Sequence, residues 1–350
     1  MSKLINSHNG FDPLEEVWLG GTYPSEFYEH LDGPVRDAFQ TITEWTNEDL
    51  NKIHKALEEH GITVERPEYG SIDDCINDNG NLYKPVVAPR DETIVIGNTM
   101  YHLRNNFKKN PWQGALDKYY AAGEDIQEFG EGTPWACVAP PCMVRVGKDI
   151  YIDYIYHEHV WGMVSEPLVE LAKDYRVHVS MIDGHSDSVF CPVNESLILT
   201  TEYKETYNKT FPNWKVHHIT HSNREKEVNL AIPHGFHRWN IKDDRIGANN
   251  EFARHVEEKA QEWVGDWEET VFDVNLLVLD NKTIFSVGED EDTFEFLAKQ
   301  GYNVHAFDFR CRNFWDAGMH CLTNDIRRKG ECQDYFPERN GPYLDWLVDD

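Results

Sequence analysis

At 350 residues the chain is long enough to bury a large core, and with 40% hydrophobic and 13% aromatic residues it is not a disordered protein. Its 62 Asp and Glu against 33 Lys and Arg leave a formal charge of −29, a field that repels phosphate backbones and argues against nucleic acid as a partner. No apolar run reaches the roughly 18 residues of a membrane span.

The first residues, "MSKLINSHNGFDPLEEV", have neither the apolar stretch of a signal peptide nor an Arg-rich transit pattern, so the expected compartment is the cytoplasm. The first predicted helix is "TNEDLNKIHKALEEHG", with Thr46 as N-cap, Asp49 in the first turn and a stop at Gly61. Leu50, Ile53 and Leu57 fall on one face of it, and the strand "ITVERP" follows. Next come the strand "ETIVIG", a less regular helix in "PWQGALDKYYAAGEDI" and the apolar run "CMVRVGKDIYIDYIY". "SEPLVELAKDY" then leads to "RVHVSMI", and "NEFARHVEEKAQEWVG" to "TVFDVNLLVLD". After "NKTIFSVG" comes the helix "EDTFEFLAKQG" and then "YNVHAFDF". Strands that come as hairpin-like pairs argue against a purely parallel sheet and for one α/β domain of repeated ββα-type modules. No GxGxxG or GxxxxGK[ST] motif supports a dinucleotide or P-loop reading.

Three stretches concentrate reactive groups beside sharp breaks. In "APRDETIVIG", Asp91 stands at the edge of a strand, where a carboxylate either binds a ligand or caps a turn. In "DGHSDSVFCP", His185 and Asp187 are two apart; if the strand continues, both point to one face and supply an acid–base group and a cation clamp. The other reading is a turn after Gly184 held by local hydrogen bonds. In "AGMHCLTNDIRR", Cys321 follows Ala317 and Gly318, small residues that let a ligand approach a thiol. Equally, it packs as one more small hydrophobe among seven cysteines, an odd number with no CxxC pair for a disulfide framework or zinc ribbon. His157 and His159, then His217, His218 and His221, then His234 and His237 form clusters, but without HExxH or CxxC they do not define a metal site.

Taken together, "NSHNGFDPLEEVWLGG", "APRDETIVIGN", "VRVGKDIYI", "DYRVHVSMIDGHSDSVF", "VNLLVLDNKTI" and "GMHCLTNDIRRKG" resemble, in order, the amidinotransferases of the arginine:glycine type, within the guanidine-modifying pentein superfamily. The resemblance spans about residues 4 to 335. It implies a single domain over residues 1–350, a fivefold pseudo-symmetric α/β propeller of ββαβ modules, a homodimer, and neither metal nor organic cofactor. It implies that Cys321 attacks a guanidinium carbon, that His185 protonates the departing ornithine amine, and that Asp91 and Asp187 clamp the cation. The expected reaction carries an amidino group from L-arginine, or a close guanidino donor, to a small primary amine such as glycine.

Two positions depart from the family pattern. Where the family carries an aspartate that orients the catalytic histidine, this chain has Ala139, with Glu128 and Glu131 as upstream substitutes. Loss of such an orienter costs roughly 10⁴-fold in turnover in a Ser-His-Asp enzyme. The arginine that binds the donor's carboxylate aligns with Lys204, a point charge without the bidentate fork. Rival readings are therefore a guanidine hydrolase of the same superfamily and a guanidine-binding protein with impaired chemistry.

Overall fold

A computed structural model describes residues 3–129, 139–153, 161–180, 185–201, 207–219, 246, 250–264 and 272–347. Among the described residues the strands form five separate sheets. Strands β1 (Leu14–Leu19) and β2 (Thr63–Glu65) pair in parallel, and β3 (Thr93–Ile96), β4 (Thr99–Leu103) and β5 (Asp125–Phe129) form the second sheet. The third holds β6 (Met143–Val146), β7 (Asp149–Asp153) and β8 (Arg176–Ser180). The fourth holds β9 (Phe190–Asn194), β10 (Leu197–Thr200) and β11 (Lys215–His218). The fifth holds β12 (Leu277–Val278), β13 (Thr283–Ser286) and β14 (Asn303–Ala306). Strand β15 (Thr323–Arg328) returns from the far end of the chain to pair antiparallel with β1, and β16 (Tyr343–Leu347) adds to the edge of β8. Every sheet thus joins an antiparallel pair to a parallel third strand, reached through a helix.

The module pattern follows from local chemistry. Gly97 and Gly147 adopt left-handed backbone (φ +63° and +62°), which permits the tight turns of the β3–β4 and β6–β7 hairpins. The strands of these hairpins are almost wholly buried and carry the expected β-branched residues. Between hairpin and third strand, the predicted helices form: Gln113–Ala122 stops at Gly123 (φ +74°), and Glu291–Lys299 is capped by Asp290, whose side chain accepts from the Thr293 N–H.

The first helix is longer than predicted. It runs from Gly33 to Glu59 behind Asp32, so Thr46 is an interior residue and not a cap. The apolar stripe of Leu50, Ile53 and Leu57 continues backward through Ile42, Phe39 and Val35, which are buried in the same core. Thr46 and Asp49 are tolerated on that buried face because the Trp315 indole N–H donates to Thr46 Oγ1 at 2.8 Å and Arg310 engages the Asp49 carboxylate. Residues near the N-terminus then stitch sheets together: Asn6 bridges to Arg327, Ser7 to Gly97 and Asn9 to Val146. No described helix is long and apolar enough to cross a membrane.

Candidate active site

Residues just ahead of β3, β6, β9, β12 and β15, one strand of each sheet, gather at one place. Asp91 closes a turn of 3-10 helix (Pro89–Asp91) before β3, and Ala139 caps another (Pro140–Cys142) before β6. His185 is the N-cap and Asp187 lies in the first turn of the short helix Ser186–Val189 that leads into β9. Asn275 precedes β12 and Cys321 precedes β15. Side chains tie these loops to one another. Ser186 Oγ donates to the Cys142 carbonyl at 2.6 Å, and Arg90 Nε donates to the carbonyls of His320 and Thr323 at 3.0 and 3.1 Å.

The sequence reading of His185 and Asp187 as alternating residues of a continuing strand is corrected here. Strand β8 is described over Arg176–Ser180, and His185 and Asp187 start a helical turn. The charge of His185 is one of the influences that lower the Asp187 carboxyl.

Cys321 is 2% exposed and its Sγ lies 3.8 Å from Asp187 Oδ2. Burial first, then the negative charges of Asp187 and Asp91, push the thiol well above its ordinary value. Asp91 itself is partly exposed, with Lys84 Nζ 3.9 Å from its carboxylate. A buried sulfur beside one carboxylate and within the field of a second is an unfavourable place for an anion until a cation offsets their charge.

Asp187 is kept ionised. Burial alone would raise its carboxyl, but the hydrogen bond and charge of His320, with the charges of His185 and Arg90, outweigh it and hold it below the usual carboxylate range. His320 Nδ1 lies 2.7 Å from Asp187 Oδ2. An ionised carboxylate only accepts, so Nδ1 carries the proton. Burial and the Arg90 guanidinium keep the His320 ring below its ordinary value despite the pull of Asp187.

Beneath the turn that carries Cys321 lies a buried charge hub. Asp325 Oδ1 accepts from Arg90 Nη2 at 2.6 Å. Its Oδ2 accepts from Arg145 Nη2 at 2.8 Å, Arg328 Nε at 2.8 Å and Ser7 Oγ at 2.6 Å. Burial opposes ionisation, yet the three guanidinium groups hold this carboxyl well below the ordinary range. Arg90 links the hub to the turn that carries Cys321 through its bonds to the flanking carbonyls.

The other candidates are distributed as follows. Lys204 and Glu131 lie outside the described residues, as do His157, His159, His221, His234 and His237. Glu128, one of the two upstream acids, is engaged elsewhere: its carboxylate accepts from Tyr120 Oη and from Arg104 Nε. His217 stacks on Phe296 with ring centroids 3.5 Å apart. Among the described residues no group of three or more His, Cys, Asp or Glu is disposed to hold a metal ion. Sequence reasoning missed His320, which it read as a neighbour of Cys321 and nothing more, and Asn275, a lone carboxamide in the apolar run "VFDVNLLVLD".

No family model matches the chain. The glycine amidinotransferase of Xenopus laevis, a mitochondrial protein, is 22% identical over 405 aligned residues that cover 95% of this chain and 85% of that protein. Among solved structures, the inosamine-phosphate amidinotransferase of Streptomyces griseus superposes with a TM-score of 0.68 at 17% identity, over 95% of this chain and 99% of that one. The DDAH of Pseudomonas aeruginosa, solved with citrulline, superposes with a TM-score of 0.52 at 12% identity, over 89% of this chain and 99% of that one. The resemblance read from the motifs is borne out: the curated homologues are amidinotransferases, and the structural neighbours are amidinotransferases and hydrolases of the pentein superfamily.

Proposed function

We propose that the protein is an amidinotransferase that moves the amidino group of L-arginine, or a close guanidino donor, to a small primary amine such as glycine and releases ornithine. One observation carries the reading: the Cys321 sulfur is buried 3.8 Å from the Asp187 carboxylate and feels the charge of Asp91 as well. Two carboxylates around a sulfur suit a planar cation that each can hold by paired hydrogen bonds.

Cys321 Sγ attacks the guanidinium carbon, which is a poor electrophile until it is held and its plane fixed. The bond from that carbon to the substituted nitrogen breaks, and His185 delivers the proton that turns the leaving group into the ornithine amine. An amidino-cysteine remains. An incoming amine then gives a proton to His185 and bonds to the amidino carbon, and the carbon–sulfur bond breaks to restore the thiolate. The donor's own positive charge cancels the field of Asp91 and Asp187 at the sulfur, so deprotonation of Cys321 is coupled to substrate arrival. Lys204 attracts the donor's carboxylate, and water is kept from the intermediate so that transfer prevails over hydrolysis.

In the same reading the five sheets are the blades of a fivefold pseudo-symmetric propeller, and residues 1–350 form one domain that works as a cytoplasmic homodimer without metal or organic cofactor. Incubation with arginine and a panel of amines is expected to yield ornithine together with one new guanidino product. Formation of neither with any amine would refute the proposal. The fold shared with DDAH motivates a second reading, hydrolysis of a guanidine. Citrulline or ammonia released without an amine acceptor would favour it. Ala139, which brings no carboxylate to the loop before β6, motivates a third, binding without turnover. Labelling of Cys321 by a guanidino-mimicking electrophile, with ordinary turnover, would dismiss it.

A further inference from the structure

Asn275 sits two residues before β12, fully buried. Its carboxamide is the junction of three loops of the site. Oδ1 accepts from the backbone N–H of His320 at 2.8 Å and from that of Cys321 at 3.0 Å. Backbone N–H groups only donate, so the oxygen must face them and the amide cannot be flipped. The NH2 group is thereby turned to the other side, 3.1 Å from Cys321 Sγ, 3.2 Å from the Asp187 carbonyl and 3.4 Å from Ser188 Oγ. The space for this arrangement comes from Gly318, where a Cβ would stand 2.4 Å from Asn275 Oδ1 and 2.6 Å from its Cβ and Cγ.

An N–H aimed at sulfur favours the thiolate over the thiol, because the anion is the stronger acceptor. Asp91 and Asp187 act in the opposite sense on the same atom. We propose that Asn275 is a catalytic residue whose amide N–H donates to the Cys321 sulfur, stabilising the thiolate that attacks the donor and the thiolate that leaves when the amidino group is passed on. The inference rests on the reading of Cys321 as the nucleophile. It adds a source of thiolate stabilisation that the chain itself supplies.

The test is site-resolved alkylation of Cys321 by iodoacetamide across pH, in the full-length wild type, Asn275→Asp and Asn275→Ala. Asn275→Asp keeps size and the acceptor for the two backbone N–H groups but replaces the donor by a carboxylate whose charge also opposes the thiolate, so Asn275→Ala, which removes the donor without adding charge, decides. In folded variants the alkylation profile should move to higher pH, with at least about tenfold slower labelling at a fixed pH on its rising limb. A purely structural anchor would lower the melting temperature and leave the profile of the folded protein in place, and that result overturns the proposal. Should neither variant fold, the wild type decides: the assigned Asn275 side-chain NH2 resonances should titrate with the midpoint of the alkylation profile and shift on alkylation. Resonances that stay put through both overturn it. Failure of the parent reading is seen separately, as absence of any amidino adduct in wild type, and leaves the alkylation comparison unaffected.

Discussion

Asp325→Asn is the sharpest test of how the turn that carries Cys321 is held. The wild-type carboxylate, 0% exposed, accepts from three guanidinium groups and from Ser7 Oγ. Four hydrogen bonds to a charged group would come to about 6–12 kcal/mol at roughly 1.5–3 kcal/mol each. The arginines keep other partners, however: Arg90 the carbonyls of His320 and Thr323, Arg145 that of Val95, and Arg328 those of Asp12 and Val278. The expected loss is therefore nearer the ~3–5 kcal/mol found when one partner of a buried pair is removed. Urea unfolding followed by tryptophan fluorescence should show a lower midpoint with an unchanged slope. The pH dependence follows in sign. A carboxyl held far below its unfolded value of about 3.9 stabilises fully above that pH, and the stabilisation fades as pH falls through the folded value. The wild type should thus lose stability toward acid more steeply than Asp325→Asn. A loss of stability within the roughly 0.5 kcal/mol of an ordinary surface substitution would refute the hub as an anchor.

Gly318→Ala places a methyl group against the Asn275 side chain and should cost about 1–3 kcal/mol together with most of the activity, checked by melting temperature and ornithine release. His320→Ala removes the donor that keeps Asp187 oriented and ionised, so KM for the guanidino donor should rise severalfold, with partial recovery in His320→Asn; unchanged KM would contradict the role given to His320. In ligand-free protein, alkylation of Cys321 should stay slow near pH 7 and climb only on the alkaline side, since burial and two carboxylates oppose the thiolate. A plateau reached below about pH 8 would show that this opposition is absent.

The parts of the site that were legible in the sequence are those with reactive side chains beside breaks: Asp91, Asp187, His185 and Cys321 all lie at loop-to-strand junctions that converge. The hairpin-and-helix repetition was legible too, because alternation and capping are local properties. Thr46 misled because a Thr followed by acidic residues fits a cap as well as a buried face, and only Trp315, 269 positions away, decides between them. Of the two readings open for His185 and Asp187, the turn is the nearer one, because the two residues begin a short helix. Asn275, His320, Arg90 and Arg145 act through partners 45 to 235 positions distant, and no local pattern marks such pairs.

Acid-quenched protein taken during turnover with arginine, digested and mapped by mass, tests the central claim most directly. One amidino group on the peptide that carries Cys321, formed before any acceptor is added and discharged when an amine follows, is the result predicted. Turnover with no adduct there, or full activity surviving in Cys321→Ser, would contradict it.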